Sequence, residues 1–183
     1  STAENYYSKA MATCSASADY PLFRSAITMG LNGNNSGKVE ILQKLAESHP
    51  ESNLLEEAYY EMGRAYIEQK QYDDAIMVYD KLIELSPISP VARRAATEKA
   101  MIYNNMGDVD NAIKAYKHII ESYTESEEAD VAAQDLKDVY IDRGMVKEFA
   151  EYAENTHGMK KVESSEIDTL SYMAAYRIYE RKD

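Results

Sequence analysis

This chain of 183 residues has no tryptophan, one cysteine, four prolines and seven glycines. With so little proline and glycine, and no tract rich in either, collagen-like and low-complexity classes are excluded. Cys14, being alone, cannot close an internal disulfide. Long apolar runs are missing as well. The longest, Ala75–Tyr79 and Tyr172–Tyr176, have five residues each, where a membrane-spanning helix needs about 20. Positive charge is scarce: 20 Lys and Arg against 32 Asp and Glu leave a net charge of −12. That is the wrong sign for neutralising phosphates, so neither nucleic acid nor an anionic membrane surface is an expected partner. What remains is ordinary globular composition, 45 % hydrophobic and 28 % charged, in a chain long enough to bury most of its unfolded surface. The acidic excess is local. Residues 121–142 carry eight acids and one base, Lys137, and the run reads as a solvated face.

A repeat runs through the sequence. Ser52, Ser89 and Ser126 stand 37 apart, as do Tyr66, Tyr103 and Tyr140. The same interval relates Ala75 to Ala112, Tyr79 to Tyr116 and Pro50 to Pro87. Spacing shared by unrelated residue types marks a tandem array, and each unit reads as two helices. Ser52 is placed as an N-cap, with Glu56 and Glu57 in the first turn where the helix dipole favours acids. Apolar and small residues follow at 59, 62, 63 and 66, the stripe of an amphipathic helix. The pattern breaks at Gln69, Lys70 and Gln71, resumes with Ala75, Ile76, Tyr79, Leu82 and Ile83, and stops at Ser86 and Pro87. Ser89 caps the next helix, with Pro90 at its first position, where a missing N–H costs nothing. Gly107 and Gly144 fall at the matching inter-helix turns, where a left-handed cap is expected. Helices are expected over 3–15, 18–31, 37–48, 53–69, 72–85, 90–106, 109–122, 127–143, 146–155 and 166–181, with 156–165 the least structured stretch. No strand is expected.

Tyr59-x2-Met62-Gly63-x2-Tyr66, then Ala75-x3-Tyr79, then Pro87, resembles the tetratricopeptide pattern of an aromatic, Leu-Gly, Tyr, Ala, aromatic and Pro. The resemblance implies an all-α superhelix of antiparallel helix pairs. Gly63 and Ala75 would let the two helices of a unit approach, and Tyr59, Tyr66 and Tyr79 would fill the layer between units. It divides the chain into one array: an orphan helix over 1–17, a degenerate repeat over 18–51, the clearest repeat over 52–88, a further repeat over 89–125, a degenerate one over 126–162, and the first helix of a truncated repeat over 163–183. In the repeat over 89–125 Ala100 replaces the glycine; in that over 126–162, Lys137 and Phe149 occupy the two small-residue positions, which speaks against close helix packing over 127–155. Both ends look cut, as in a fragment of a longer protein. The 37-residue period and the Ser-Pro-x-Ser-Pro junction are similar to those of bacterial cell-envelope tetratricopeptide proteins, among them the Tol-system coordinator, the lipoprotein of the β-barrel assembly machine and long periplasmic chains of Bacteroidetes type. That narrower resemblance implies a periplasmic or envelope location.

Candidate chemistry is sparse. His49, His118 and His157 are too far apart to read as a ligand cluster, and neither HExxH nor CxxC occurs. Asp108, Asp110 and Asn111 brush a calcium loop but lack its glycine and its twelfth-position glutamate, so they read as a helix start. There is no Gly-rich phosphate loop and no G-x-S-x-G. No metal, cofactor or catalytic residue is expected, and the chain reads as a non-enzymatic scaffold for another protein or peptide. The alternative is a structural spacer or self-association module. Most of the sixteen tyrosines are absorbed by repeat core positions; Tyr60, Tyr72 and Tyr172 are less easily placed. In tetratricopeptide proteins the first helix of each unit lines a concave groove. Carried along the period, the positions outside the core stripe give Phe23, Ile27, Tyr60, Arg64, Thr97, Met101, Asn104, Gln134 and Asp138 as the expected groove residues, running from aromatic and mixed to acidic. Tyr60 and Arg64, one turn apart, have the composition of an interface hot spot.

Overall fold

The computed structural model describes residues 18–181. The helix expected over 3–15, with Cys14, lies outside the described residues. Among those described, nine helices and no strand occur: α1 Asp19–Leu31, α2 Asn35–Ser48, α3 Leu55–Glu68, α4 Tyr72–Leu85, α5 Pro90–Met106, α6 Val109–Ser122, α7 Glu127–Asp142, α8 Val146–Asn155 and α9 Ser164–Glu180. The chain divides into two compact units, Ser1–Lys99 and Ala100–Asp183, with the division falling inside α5.

The 37-residue period is most regular in the turns between paired helices. Gly33, Lys70, Gly107 and Gly144 all have positive φ, between 59° and 79°. At each turn the left-handed residue donates to the carbonyl three before it, and the next residue to the carbonyl five before it. The second bond runs from Asn34 to Met29, Gln71 to Tyr66, Asp108 to Tyr103 and Met145 to Tyr140, at 2.9–3.0 Å. This paired arrangement is the Schellman cap, which satisfies carbonyls the helix leaves orphaned. Three of the repeating tyrosines therefore mark the residue whose carbonyl anchors the turn. The segment around Gly33 is in full register with the others: Gly33 is the left-handed residue, and α1 ends at Leu31. Asn34 and Asp108 then cap α2 and α6 with their side chains, accepting from Gly37 at 2.9 Å and Asn111 at 3.3 Å. The Asp108 cluster is a helix start.

Of the three serines 37 residues apart, two cap a helix. Ser89 and Ser126 accept from the N–H three residues on, at 3.1 Å in both cases. Ser52 does not cap α3. Its Oγ accepts from Leu54 at 3.1 Å and donates to Asp19 at 2.7 Å, and the helix begins only at Leu55.

In the first unit, Leu22 and Ala26 of α1, Leu42 and Leu45 of α2, Leu55, Ala58 and Met62 of α3 and Val78 of α4 form one core, with Phe23, Tyr59 and Tyr66 packed against it. Each fully buried leucine contributes about 1.5–3 kcal/mol relative to exposure. Helices α3 and α4 run antiparallel about their turn: Gly63 and Tyr79 lie eight residues either side of Gln71 and touch. Ala75 is fully buried, as expected of a residue at the helix contact. In the second unit Ala112 and Tyr116 repeat the burial of Ala75 and Tyr79. Ile141, Val146, Leu170 and Ala174 form a core from α7, α8 and α9, and Phe149 packs its ring 5.9 Å from that of Tyr140. Residues 156–163 form an irregular connection.

Candidate functional site

The expected groove residues fall into two groups. Phe23, Ile27, Tyr60, Arg64 and Thr97 belong to the first unit, and Met101, Asn104, Gln134 and Asp138 to the second.

In the first unit, Tyr60 departs from expectation. It is 8 % exposed, its ring centroid lies 6.0 Å from that of Tyr79, and its hydroxyl donates to Glu98 at 3.0 Å. Burial, with the neighbouring Glu98 carboxylate, pushes its pKa up to about 12. The guanidinium over its ring is that of Arg94, at 4.7 Å, not that of Arg64. Tyr60 is thus a core residue whose ring face meets the Arg94 guanidinium and whose hydroxyl meets the Glu98 carboxylate. Arg64 is exposed and pairs with Glu61 at 3.6 Å. Phe23 packs against the core, and Thr97 spends its hydroxyl on the Arg93 carbonyl at 3.1 Å. Ile27 and Arg64 line a cleft of about 500 Å³ together with Lys38 and Glu61. Lys38 holds the position that Ala75 and Ala112 hold in the next two units. It is nearly buried, and its amine pairs with Glu61. Its side chain passes where Gly30 has no Cβ, which would stand 2.8 Å from Lys38 Cδ.

In the second unit the structure brings expected residues together. Met101, Asn104 and Asp138 line one cleft of about 140 Å³ with Asn105, Tyr116 and Asp135. Asn104 and Asp138 also border a neighbouring cleft of about 210 Å³. Gln134 donates to Asp138 at 3.3 Å. Met101 is 47 % exposed. Asp138 and Asp142 share Arg177, at 3.4 and 2.8 Å, and Asp142 also pairs with Arg181. Asp135 differs: burial raises its pKa, Asp138 raises it further, and the hydroxyl of Tyr116 lowers it in part.

Sequence reasoning missed the row Glu61, Glu98 and Asp135, one carboxylate on each of α3, α5 and α7 at 37-residue spacing. Glu61 takes Lys38 and Arg64, Glu98 takes Tyr60, and Asp135 takes Tyr116. The period alone contained that signal. Asp142, Arg177 and Arg181 were missed as well, and no spacing rule joins them.

Residues 56–89 and 94–125 match the family model of the tetratricopeptide repeat (TPR). Over these two stretches the chain is similar to TPR units. No functionally curated protein matches the chain by sequence. Among solved structures, MamA superposes with a TM-score of 0.64 at 20 % identity, over 98 % of this chain and 88 % of that one. YrrB, a TPR protein with an unusual peptide-binding site, gives 0.59 at 14 % identity, over 98 % and 82 %. The TPR-like repeats of a putative kinesin light chain from Podosopora anserina give 0.55 at 17 %, over 88 % and 87 %. At such identities the likeness shows the fold, an all-α TPR-type solenoid. Among the described residues there is no cluster of three or more potential metal ligands, and no helix is long and apolar enough to cross a membrane.

Proposed function

We propose that this chain is a non-enzymatic scaffold whose TPR units bind another protein or peptide through the exposed faces of α3, α5 and α7. The observation that carries this reading is the cleft of Met101, Asn104, Asn105, Asp135 and Asp138. It sets an exposed apolar side chain beside two amides and a half-buried carboxylate. Amides can serve peptide backbone as donor and acceptor alike, and the carboxylate favours a cation. Arg64 and Ile27 supply a second contact area in the first unit. Tyr60, being buried, is not itself the contact.

The experiment is affinity capture with wild-type chain and with the double variant Met101→Ala/Asn104→Ala, both residues being exposed. Proteins recovered by the wild type and lost by the variant identify the partner. Identical recovery would favour the spacer. A periplasmic or envelope location is part of the same proposal; it rests on the Ser-Pro-x-Ser-Pro junction and the long period, and fractionation of the native host tests it.

One observation favours self-association as a second reading. Tyr172, Met173, Tyr176 and Tyr179 form an exposed stripe along α9, Tyr172 being 73 % exposed. Sedimentation equilibrium of the wild type and of Tyr172→Ser/Tyr176→Ser distinguishes the two readings, since only self-association is lost in the variant.

A further inference from the structure

In the α7–α8 pair the small residues found at the matching positions one and two periods earlier are gone. Gly63 and Ala100 are followed one period later by Lys137, and Ala75 and Ala112 by Phe149. Two bulky side chains at a contact built for none hold it open. The Lys137 amine leaves the interior to meet Glu166 at 2.8 Å, and the Phe149 ring turns to Tyr140. What opens is a cleft of about 440 Å³, within the roughly 300–1,000 Å³ typical of ligand pockets. Its floor is apolar: Ile120, Ala129, Ala133 and Phe149.

The opposite wall is the connection 157–162. Its flanks are extended, with φ −106° and ψ 123° at Thr156 and φ −71° and ψ 151° at Glu163. Val162 anchors it to the core of α7, α8 and α9. Among the described residues, the backbone groups of Lys160, Lys161 and Val162 make no backbone hydrogen bond. After the turn at Gly158 (φ 85°), residues 160–162 lie outside any helix, and backbone N–H and C=O groups without a backbone partner beside an apolar cleft are groups to which a peptide can pair. The rim carries both signs of charge on opposite sides. Glu125 and Asp130 stand at the α7 side, and Lys160 and Lys161 on the connection, where an otherwise acidic chain turns basic; Lys161 also pairs with Glu154 at 3.3 Å on the exposed surface.

We propose that this cleft binds an extended peptide segment of mixed charge. One large apolar side chain fills the cleft, an acidic residue lies against Lys160 and Lys161, a basic residue lies against Glu125 and Asp130, and the peptide backbone pairs with residues 160–162. The surface is separate from the Met101–Asn104–Asp138 cleft, so the two are tested independently.

The probe is the capped synthetic heptapeptide Gly-Lys-Ala-Phe-Ala-Glu-Gly, titrated into the isotope-labelled full chain and followed by amide NMR. Saturable shifts at Ala129, Ala133 and residues 160–162, with slowed hydrogen exchange at 160–162, are the expected result. Replacing the probe's Phe by Gly, or both its charges by Gln, should weaken binding at least tenfold. Lys160→Glu/Lys161→Glu, on exposed positions, should weaken it about as much, and Ala133→Trp, which fills the cleft, should abolish it. Because Ala133→Trp can disturb α7, the lysine pair is the deciding variant, with the melting temperature as a check on folding. Equal affinity for the Gly-substituted probe, no saturable shift at millimolar probe, or shifts confined to Met101 and Asn104 would each overturn the proposal. The last of these outcomes would leave the scaffold reading standing.

Discussion

The ring of Tyr79 lies against Gly63 so closely that a Cβ on residue 63 would stand 2.2 Å from Cε1. Since Tyr79 is fully buried, the ring has nowhere to go. Gly63→Ala should therefore overpack the α3–α4 contact and cost about 1–3 kcal/mol, outweighing the roughly 1 kcal/mol that alanine gains over glycine in helix propensity. Ala75→Leu, on the facing helix, should cost a similar amount. Urea denaturation measures both, and an unchanged midpoint for either would mean that the two helices can part freely.

Lys70 occupies the left-handed position that glycine holds at 33, 107 and 144. Side chains other than glycine pay about 1–2 kcal/mol there, offset partly by the greater freedom of glycine when unfolded. Lys70→Gly is expected to stabilise the chain by about 0.5–1 kcal/mol and Gly107→Ala to destabilise it by about 1 kcal/mol. Thermal melts of the two variants should move in opposite directions.

The two buried tyrosines of α4 and α6 differ in one bond. Tyr116 donates to Asp135, but the equivalent acceptor for Tyr79, Glu98, is taken by Tyr60, and the Tyr79 hydroxyl is left without a partner. Tyr116→Phe should cost about 1 kcal/mol. Tyr79→Phe should be neutral or stabilising, because it removes a buried polar group that gains nothing. Equal losses in the two variants would show that Tyr79 finds a partner in solution.

Much of this fold is legible in the sequence because its determinants are local. Glycine at a left-handed cap, serine before a helix and a stripe of apolar residues all act within a few positions. Nine helices lie within about two residues of their expected bounds for that reason. What was not legible depends on residues distant in sequence. Ser52 looks like a cap until Asp19, 33 residues earlier, takes its hydroxyl. Tyr60 lies outside the stripe at 59, 62, 63 and 66, yet it is buried, because a helix flanked on more than one side buries more than one stripe. Arg94 and Glu98, which cover it, come from α5. Of the expected groove, Met101, Asn104 and Asp138 share a cleft, while Phe23 and Thr97 serve the packing and backbone of their own unit.

Asp142 should give the chain a measurable acid sensitivity. Burial alone would raise its pKa, but hydrogen bonds from Arg177 and Arg181 outweigh that and hold it below the ordinary 3.8. A carboxyl whose folded pKa is depressed stabilises the fold above its unfolded pKa, and that contribution is lost as pH falls through the folded value. Asp142→Asn should lower the melting temperature at pH 7, with the difference from wild type shrinking as the pH is taken below 3.8. A difference that stays constant down to acid-unfolding conditions would mean that the arginines hold α9 by packing alone.

Each of the four Schellman turns closes on itself between residues five apart. The chain entropy lost in forming one is small and nearly the same at every turn, and none waits on a distant segment to arrive first. Low contact order of this kind favours rapid folding that can nucleate at any hairpin. It also makes the 37-residue unit a natural quantum of duplication: a gene that gains or loses one whole period carries over a complete turn and both of its helices, and the reading register of every neighbouring hairpin is preserved.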